Sequence, residues 1–252
     1  MFAGMIYLPV MKKRLLALSS SRVGSSAYLE TARSPIHHLL GPSPLRVAFI
    51  PFANADNDDE AYGATVRQAL ADLPYTIETV TADRPEQVIA TADAIMVGGG
   101  NTFKLLHDLY HYGLLELIKE KVNGGTPYIG WSAGANLTGL TIRTSNDMAI
   151  IYPPSFDAFG FFPFQLNPHY YNQPVEGFNG ETRDQRLVEF LLLHPAATIV
   201  ALPEGSALLW EKGQLVLTGH VDAVLFRNTQ GGKVEKQLLV AGSDLSYLLL
   251  IP

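Results

Sequence analysis

The 252-residue chain contains no cysteine. Disulfides, thiolate zinc sites and cysteine nucleophiles are therefore excluded, and the absence suits a reducing compartment. Charge is also scarce. Only 17% of the residues are charged, whereas 47% are hydrophobic. That balance rules out a disordered chain and supplies a substantial core. The net charge of −6 and the lack of any basic cluster beyond Lys12-Lys13-Arg14 argue against a nucleic-acid partner. An acidic ligand would need a locally positive pocket, because the global field repels it. No apolar run is long enough to span a bilayer. Residues 1–10 are apolar, but the basic residues follow them, opposite to a secretory signal. Met11 directly precedes a plausible first strand. Residues 1–10 thus read as an upstream extension or an expression remnant, and 11–252 as a single α/β domain. The expected location is the cytoplasm, without a membrane partner.

What is present is an alternation. Residues 15–19 read as a strand. Residues 26–40 have helical spacing with a break near Pro35. Residues 45–52 (LRVAFIPF) form an almost continuous apolar run, as in a strand buried on both faces. Helix is expected at 58–73, strand at 76–80, helix at 85–92 and strand at 94–97. Two helices follow at 102–110 and 114–123, and then a strand at 127–129. Such alternation predicts a mostly parallel sheet with helices on both faces. Residues 147–179, rich in Pro, Phe, Tyr and Asn, look irregular. A helix at 183–194 and a buried strand at 198–202 follow. Residues 206–250 contain short strands split by Lys212-Gly213, 228–232 and Gly242, which suggest antiparallel hairpins that finish the sheet.

Ligands in such sheets bind beyond the carboxyl ends of the strands. Two motifs fall there. Gly130-Trp131-Ser132-Ala133-Gly134 spells G-x-S-x-G between the strand at 127–129 and a helix start at 135–140. A serine at a strand-to-helix turn has its hydroxyl exposed, and the helix aims free N–H groups at the same place. The competing reading is a glycine-rich turn after a core strand. Gly98-Gly99-Gly100 is the second motif. It lacks both G-x-G-x-x-G and the G-K-[ST] ending of a phosphate cradle. The remaining reading is a loop that brings a backbone N–H close to a substrate carbonyl.

A serine hydroxyl needs a base, usually histidine. Of seven histidines, His169 stands out, within Asn167-Pro168-His169-Tyr170 in the irregular region. His107 and His111 are one turn apart, but without H-E-x-x-H they read as a solvated helix face rather than metal ligands. No metal is expected. An imidazolium needs a carboxylate. Asp147 follows the nucleophile helix, and Glu204 ends the strand at 198–202 in Leu202-Pro203-Glu204-Gly205. The residues alone do not choose between them.

The segments VGGGNTFKLL (97–106), YIGWSAGANL (128–137), TIRTSNDM (141–148), FPFQLNPHYYN (162–172), GETRDQR (180–186) and ALPEGSAL (201–208) together resemble the peptidase E family of aspartyl dipeptidases. The resemblance covers the chain from about Met11 to Leu208. It implies a fold similar to class I glutamine amidotransferases, with serine where those carry cysteine. It also implies cleavage of dipeptides with an N-terminal aspartate, with no cofactor or metal. Carried over by position, Ser132 is the nucleophile and His169 the base. Asp147 and Glu204 both match family carboxylates, and Glu204 is favoured because it follows a buried strand. The oxyanion donors would be the N–H groups of Gly100 and Ala133. Arg183 would bind the aspartate side chain, with Asn172 and Arg143 as lesser pocket residues. The partner is then a small acidic dipeptide, and the protein a monomer or small homo-oligomer. Two alternatives remain: a related hydrolase of β-aspartyl or cyanophycin-like substrates, and a catalytically silent binding protein.

Overall fold

The computed structural model describes residues 13–173, 176–177, 179–229 and 231–251. The extension expected at 1–10 lies outside the described residues. In chain order the elements are β1 (Leu15–Leu18), α1 (Arg33–Leu40), β2 (Leu45–Ile50), α2 (Asp59–Ala69), β3 (Tyr75–Thr79), α3 (Pro85–Thr91) and β4 (Ala94–Val97). Then come α4 (Thr102–His111), α5 (Leu114–Asn123), β5 (Tyr128–Trp131), α6 (Ala133–Asn136), β6 (Gln165–Pro168) and α7 (Arg183–Leu193). The chain closes with β7 (Thr198–Leu202), β8 (Ser206–Glu211), β9 (Gln214–Gly219), β10 (Ala223–Asn228) and β11 (Val234–Leu239).

The main sheet has seven strands in the order β3-β2-β4-β5-β1-β8-β9. Its first five strands are parallel. The β8–β9 hairpin adds two antiparallel strands at one edge. Side chains alternate across this sheet with the two-residue period of a strand. Leu16, Leu18, Val47, Phe49 and Met96 face one apolar cluster with Ile36 and Leu39 of α1 and Val66 of α2. Leu15, Ala17, Ala48, Ile50 and Ile95 face another with residues of α3, α4 and α5. Burial on both faces explains why these strands read as continuous apolar runs.

The second hairpin does not finish the main sheet. A separate sheet runs β11-β10-β7-β6. Its β6 and β7 are parallel, and β10 is antiparallel to β7. One face, with Leu166, Val200, Leu202 and Leu225, joins the cluster under the main sheet. The other, with Ile199, Ala201, Val224 and Phe226, packs on Leu187 and Leu191 of α7. This second sheet carries β6 and β7 so that their carboxyl ends lie side by side, through the pairing of Pro168 with Leu202.

Pro35 does not break a helix. It is the third residue of α1, in the first turn, where its missing N–H leaves no intrahelical bond unmade. The preceding residues Glu30–Ala32 form a 3₁₀ turn instead of helix. Among the described residues no helix is long and apolar enough to cross a membrane.

Candidate active site

The β5 strand ends at Trp131, and Ser132 turns the chain with φ 53° and ψ −113°. That backbone costs a serine about 1–3 kcal/mol. Its N–H donates to the Leu18 carbonyl at 3.1 Å, and its own carbonyl accepts from Asn136 N–H at 2.9 Å. The helix after the turn is shorter and earlier than expected: α6 starts at Ala133, immediately after the serine. The flanking glycines are required by close approach. A Cβ on Gly134 would lie 2.2 Å from the Val97 carbonyl oxygen, and one on Gly130 would lie 2.4 Å from the Gly134 carbonyl oxygen.

His169 follows β6. Its φ of 52° also places it in the left-handed half of backbone space. Its N–H donates to Ser19 Oγ at 2.9 Å, and that buried hydroxyl donates to the Leu202 carbonyl at 2.7 Å. Ser19 thereby ties the end of β1 to the ends of β6 and β7. The imidazole spans two partners: Nε2 is 2.8 Å from Ser132 Oγ, and Nδ1 is 2.8 Å from Glu204 Oε1. With Nδ1–H donating to the carboxylate, Nε2 is left to accept the serine proton. Glu204 sits in the tight connection between β7 and β8. His169 and Glu204 are 41% and 52% exposed, so their ion pair is screened and adds little to stability; its effect is on the orientation of the ring.

Asp147 is engaged elsewhere. Its Oδ2 accepts from the backbone N–H of Thr102 at 2.7 Å and from the Thr102 hydroxyl at 2.5 Å. It thus covers the first turn of α4, where a negative charge meets the positive end of the helix dipole.

Ser132 and His169 stand where two cavities meet. The smaller, about 240 Å³, is lined by Ala133, Asn136, Asn146, Asp147 and Arg183 among others. The larger, about 510 Å³, is lined by Arg22, Tyr28, Asp56, Asp58, Tyr62, Gly99 and Gly100 among others. Arg183 opens α7, behind a Thr182–Gln185 capping box. Its Nη1 donates to Asn146 Oδ1. Among the described residues its buried Nε has no partner and the guanidinium forms no ion pair within 4.0 Å. Burial, with Arg186 nearby, lowers the pKa of Arg183, opposed by the Asp147 charge; an arginine remains a cation regardless. The smaller chamber therefore presents a half-buried positive charge without a bonded counter-ion. Gly100 lines the larger cavity and Ala133 the smaller. Among the described residues neither N–H is taken by a protein acceptor.

The model of peptidase family S51 matches residues 15–218. The chain belongs to peptidase family S51. It is a serine-type peptidase. Similar curated proteins include the peptidase E of Shewanella denitrificans, 49% identical over 236 residues, covering 93% of this chain and 98% of that one. The peptidase E of Shewanella amazonensis is 48% identical over 246 residues, covering 95% and 100%. Among solved structures, a putative peptidase E protein from Listeria monocytogenes aligns with a TM-score of 0.64 at 24% identity, covering 82% of this chain and 98% of that one. A peptidase from an acI-B1 actinobacterium aligns with a TM-score of 0.65 at 19% identity, covering 92% and 96%. These two likenesses concern the fold.

Two sequence-derived residues of the S51 chain stand apart from the small chamber. Arg143 is exposed, with its guanidinium 5.7 Å from the centre of the Phe156 ring. Asn172 Oδ1 accepts from Asp184 N–H at 2.9 Å, in the first turn of α7; it supports the helix that carries Arg183. Three residues of this S51 peptidase escaped the sequence reading: Ser19, Asn146 and Tyr62. Asn146 neighbours Asp147 in the quoted T-x-N-D-M segment, and its Nδ2 donates to the Pro168 carbonyl at 2.8 Å. Ser19 and Tyr62 lie in no motif. The His107 and His111 rings stack 6.0 Å apart, and His107 Nδ1 is 2.8 Å from Asp108.

Proposed function

We propose that this S51 peptidase hydrolyses dipeptides with an N-terminal aspartate through an acyl-enzyme. The observation that carries the substrate class is the Arg183 guanidinium in the chamber beside Ser132, which among the described residues has no carboxylate partner. A guanidinium binds both oxygens of a carboxylate at once, and the small volume admits one short side chain. The leaving residue then extends into the larger cavity on the other side of Ser132.

The steps follow from the hydrogen bonds. His169 Nε2 takes the proton of Ser132 as its oxygen attacks the aspartyl carbonyl, and Glu204 stabilises the resulting imidazolium. The N–H groups of Gly100 and Ala133 receive the oxyanion. His169 gives the proton to the leaving amine, and water then hydrolyses the ester by the reverse order. A substrate without the carboxylate leaves Arg183 unpaired, at a cost of about 2–4 kcal/mol.

A panel of Asp-Leu, Glu-Leu, Ala-Leu, β-aspartyl-Leu and N-acetyl-Asp-Leu, followed by HPLC, tests this reading. Asp-Leu is expected to exceed Ala-Leu in kcat/KM by about 30-fold or more. Equal hydrolysis of the two removes the aspartate pocket, and preference for the β-linked peptide moves the enzyme to the isomeric substrate class.

The two carboxylates separate by substitution. Glu204→Gln should lower kcat by up to about 10⁴, the loss that follows when a buried triad carboxylate is neutralised, and by less where solvent screens the pair. Asp147→Asn should act mainly through KM, because Asp147 lies beside Arg183 rather than on His169. A larger kcat loss in Asp147→Asn would transfer the orienting role to that residue. The cysteine-free composition supports the cytoplasm as the place of action, which cell fractionation would test.

A further inference from the structure

Tyr62 lies on α2, outside the triad and both glycine motifs. Its hydroxyl donates to the Gly99 carbonyl at 3.0 Å. That carbonyl and the N–H of Gly100 belong to one peptide unit. Among the described residues no peptide bond is cis, so the C=O and N–H of that unit point in opposite directions. Holding the carbonyl on the Tyr62 side therefore turns the Gly100 N–H away from Tyr62.

The loop is shaped to allow this contact. A Cβ on Gly98 would lie 2.7 Å from the Tyr62 hydroxyl, so any other residue would displace the ring. Gly100 has φ 138°, and a Cβ there would lie 2.3 Å from the Ala53 carbonyl oxygen. That same oxygen accepts the N–H of Asn101 at 2.8 Å. The loop is thus held on both sides of Gly100, by the Gly99 carbonyl and by the Asn101 N–H.

The Tyr62 hydroxyl is itself supplied with donors. Trp131 Nε1, one residue before the serine, donates to Tyr62 Oη at 3.1 Å and to Tyr28 Oη at 3.0 Å. Tyr28 donates to Tyr62 at 3.0 Å. With its oxygen accepting from Trp131 and Tyr28, the single Tyr62 proton goes to Gly99. Hydrogen bonds in such a chain polarise one another. Burial raises the pKa of both tyrosines, which keeps their protons in place. The rings are packed as well: Phe49 stacks on Trp131 with centroids 5.7 Å apart and meets Tyr62 edge-on at 5.0 Å.

We propose that Tyr62 is a positioning residue for the reaction: its hydroxyl orients and polarises the Gly99–Gly100 peptide so that the Gly100 N–H faces the developing oxyanion. This rests on the reading that Ser132 attacks the aspartyl carbonyl and that Gly100 donates to it. Tyr62 touches no reacting atom, so its removal should cost less than loss of a direct oxyanion donor.

The test is Tyr62→Phe, which keeps the ring and its packing. On Asp-Leu, kcat should fall about 10- to 50-fold, below the 10²–10³ of a direct donor, while KM changes less than about twofold. The α-aminoboronic acid analogue of aspartate, whose tetrahedral serine adduct places an oxygen in the same hole, should lose affinity by the same factor as kcat. The inhibition constant of free aspartate should stay within about twofold, since it forms no such adduct. A structural role would not link boronate affinity to kcat while sparing aspartate. Unchanged kcat, or a fall in kcat with unchanged boronate affinity, overturns the proposal. If the wild-type enzyme ignores the boronate and Ser132→Ala still turns over, the acyl-enzyme reading fails first and takes this inference with it. Should Tyr62→Phe not fold, Tyr28→Phe removes one donor to the Tyr62 oxygen. Parallel losses of about 2- to 5-fold in kcat and boronate affinity then support the relay, and no change in either overturns it.

Discussion

Replacing Ser132 by alanine is expected to lower kcat on Asp-Leu by about four to six orders of magnitude, as removal of a serine nucleophile does elsewhere. The fold should be untouched. Among the described residues the one side-chain bond lost is the 2.8 Å contact with His169 Nε2, and the partner ring is partly exposed and can bond to water. The left-handed turn at residue 132 is kept, because its hydrogen bonds to Leu18 and Asn136 are made by the backbone. Pre-steady-state traces should also change: a burst of leucine before the steady state in wild type, where deacylation is slower, would vanish in the variant. Turnover within tenfold of wild type would end the serine mechanism, since no other side chain is bonded to His169 Nε2 among the described residues.

Replacing Arg183 by alanine should lower kcat/KM for Asp-Leu by about 30- to 900-fold, equivalent to about 2–4 kcal/mol of lost charge recognition. Ala-Leu should hardly notice the change, because it brings no carboxylate to the guanidinium. The melting temperature should stay the same or rise. Among the described residues the Arg183 side chain gives the fold one hydrogen bond, to Asn146, against the cost of holding a desolvated cation whose Nε has no partner there. Equal losses on Asp-Leu and Ala-Leu would show that Arg183 supports the chamber without reading the side chain.

The parallel core was legible because β1, β2, β4 and β5 are buried on both faces, and such strands leave an unbroken apolar trace. The β6 strand left none. Its residues, Gln165-Leu166-Asn167-Pro168, include two buried amides and a proline. Its burial is satisfied by tertiary hydrogen bonds, such as Asn167 Nδ2 to the Thr144 carbonyl at 2.7 Å, which local periodicity does not encode. For the same reason the C-terminal hairpins were legible as hairpins, but not their division between two sheets. That division depends on which edge strand each one meets.

The serine and its glycines were readable as a motif, and Arg183 came from the resemblance to the peptidase E family. The preference for Glu204 came from its position after a buried strand, and it is Glu204 that bonds to His169 Nδ1. The reason Asp147 does not is again tertiary: the first turn of α4 takes its carboxylate. Tyr62 was invisible because a tyrosine on an amphipathic helix is ordinary, and its use of one carbonyl appears only when α2 is laid against the glycine loop.

Ser132 and His169 share one unusual property, a positive φ in residues that are not glycine. Each such backbone costs on the order of 1–3 kcal/mol, and a domain is stable by only about 5–15 kcal/mol in total. Under the proposed acyl-enzyme mechanism, heat tolerance and turnover therefore pull on the same two codons in opposite directions. Laboratory evolution under thermal selection alone would enrich glycine at these positions, and the sturdier lineages would be those that had abandoned the chemistry.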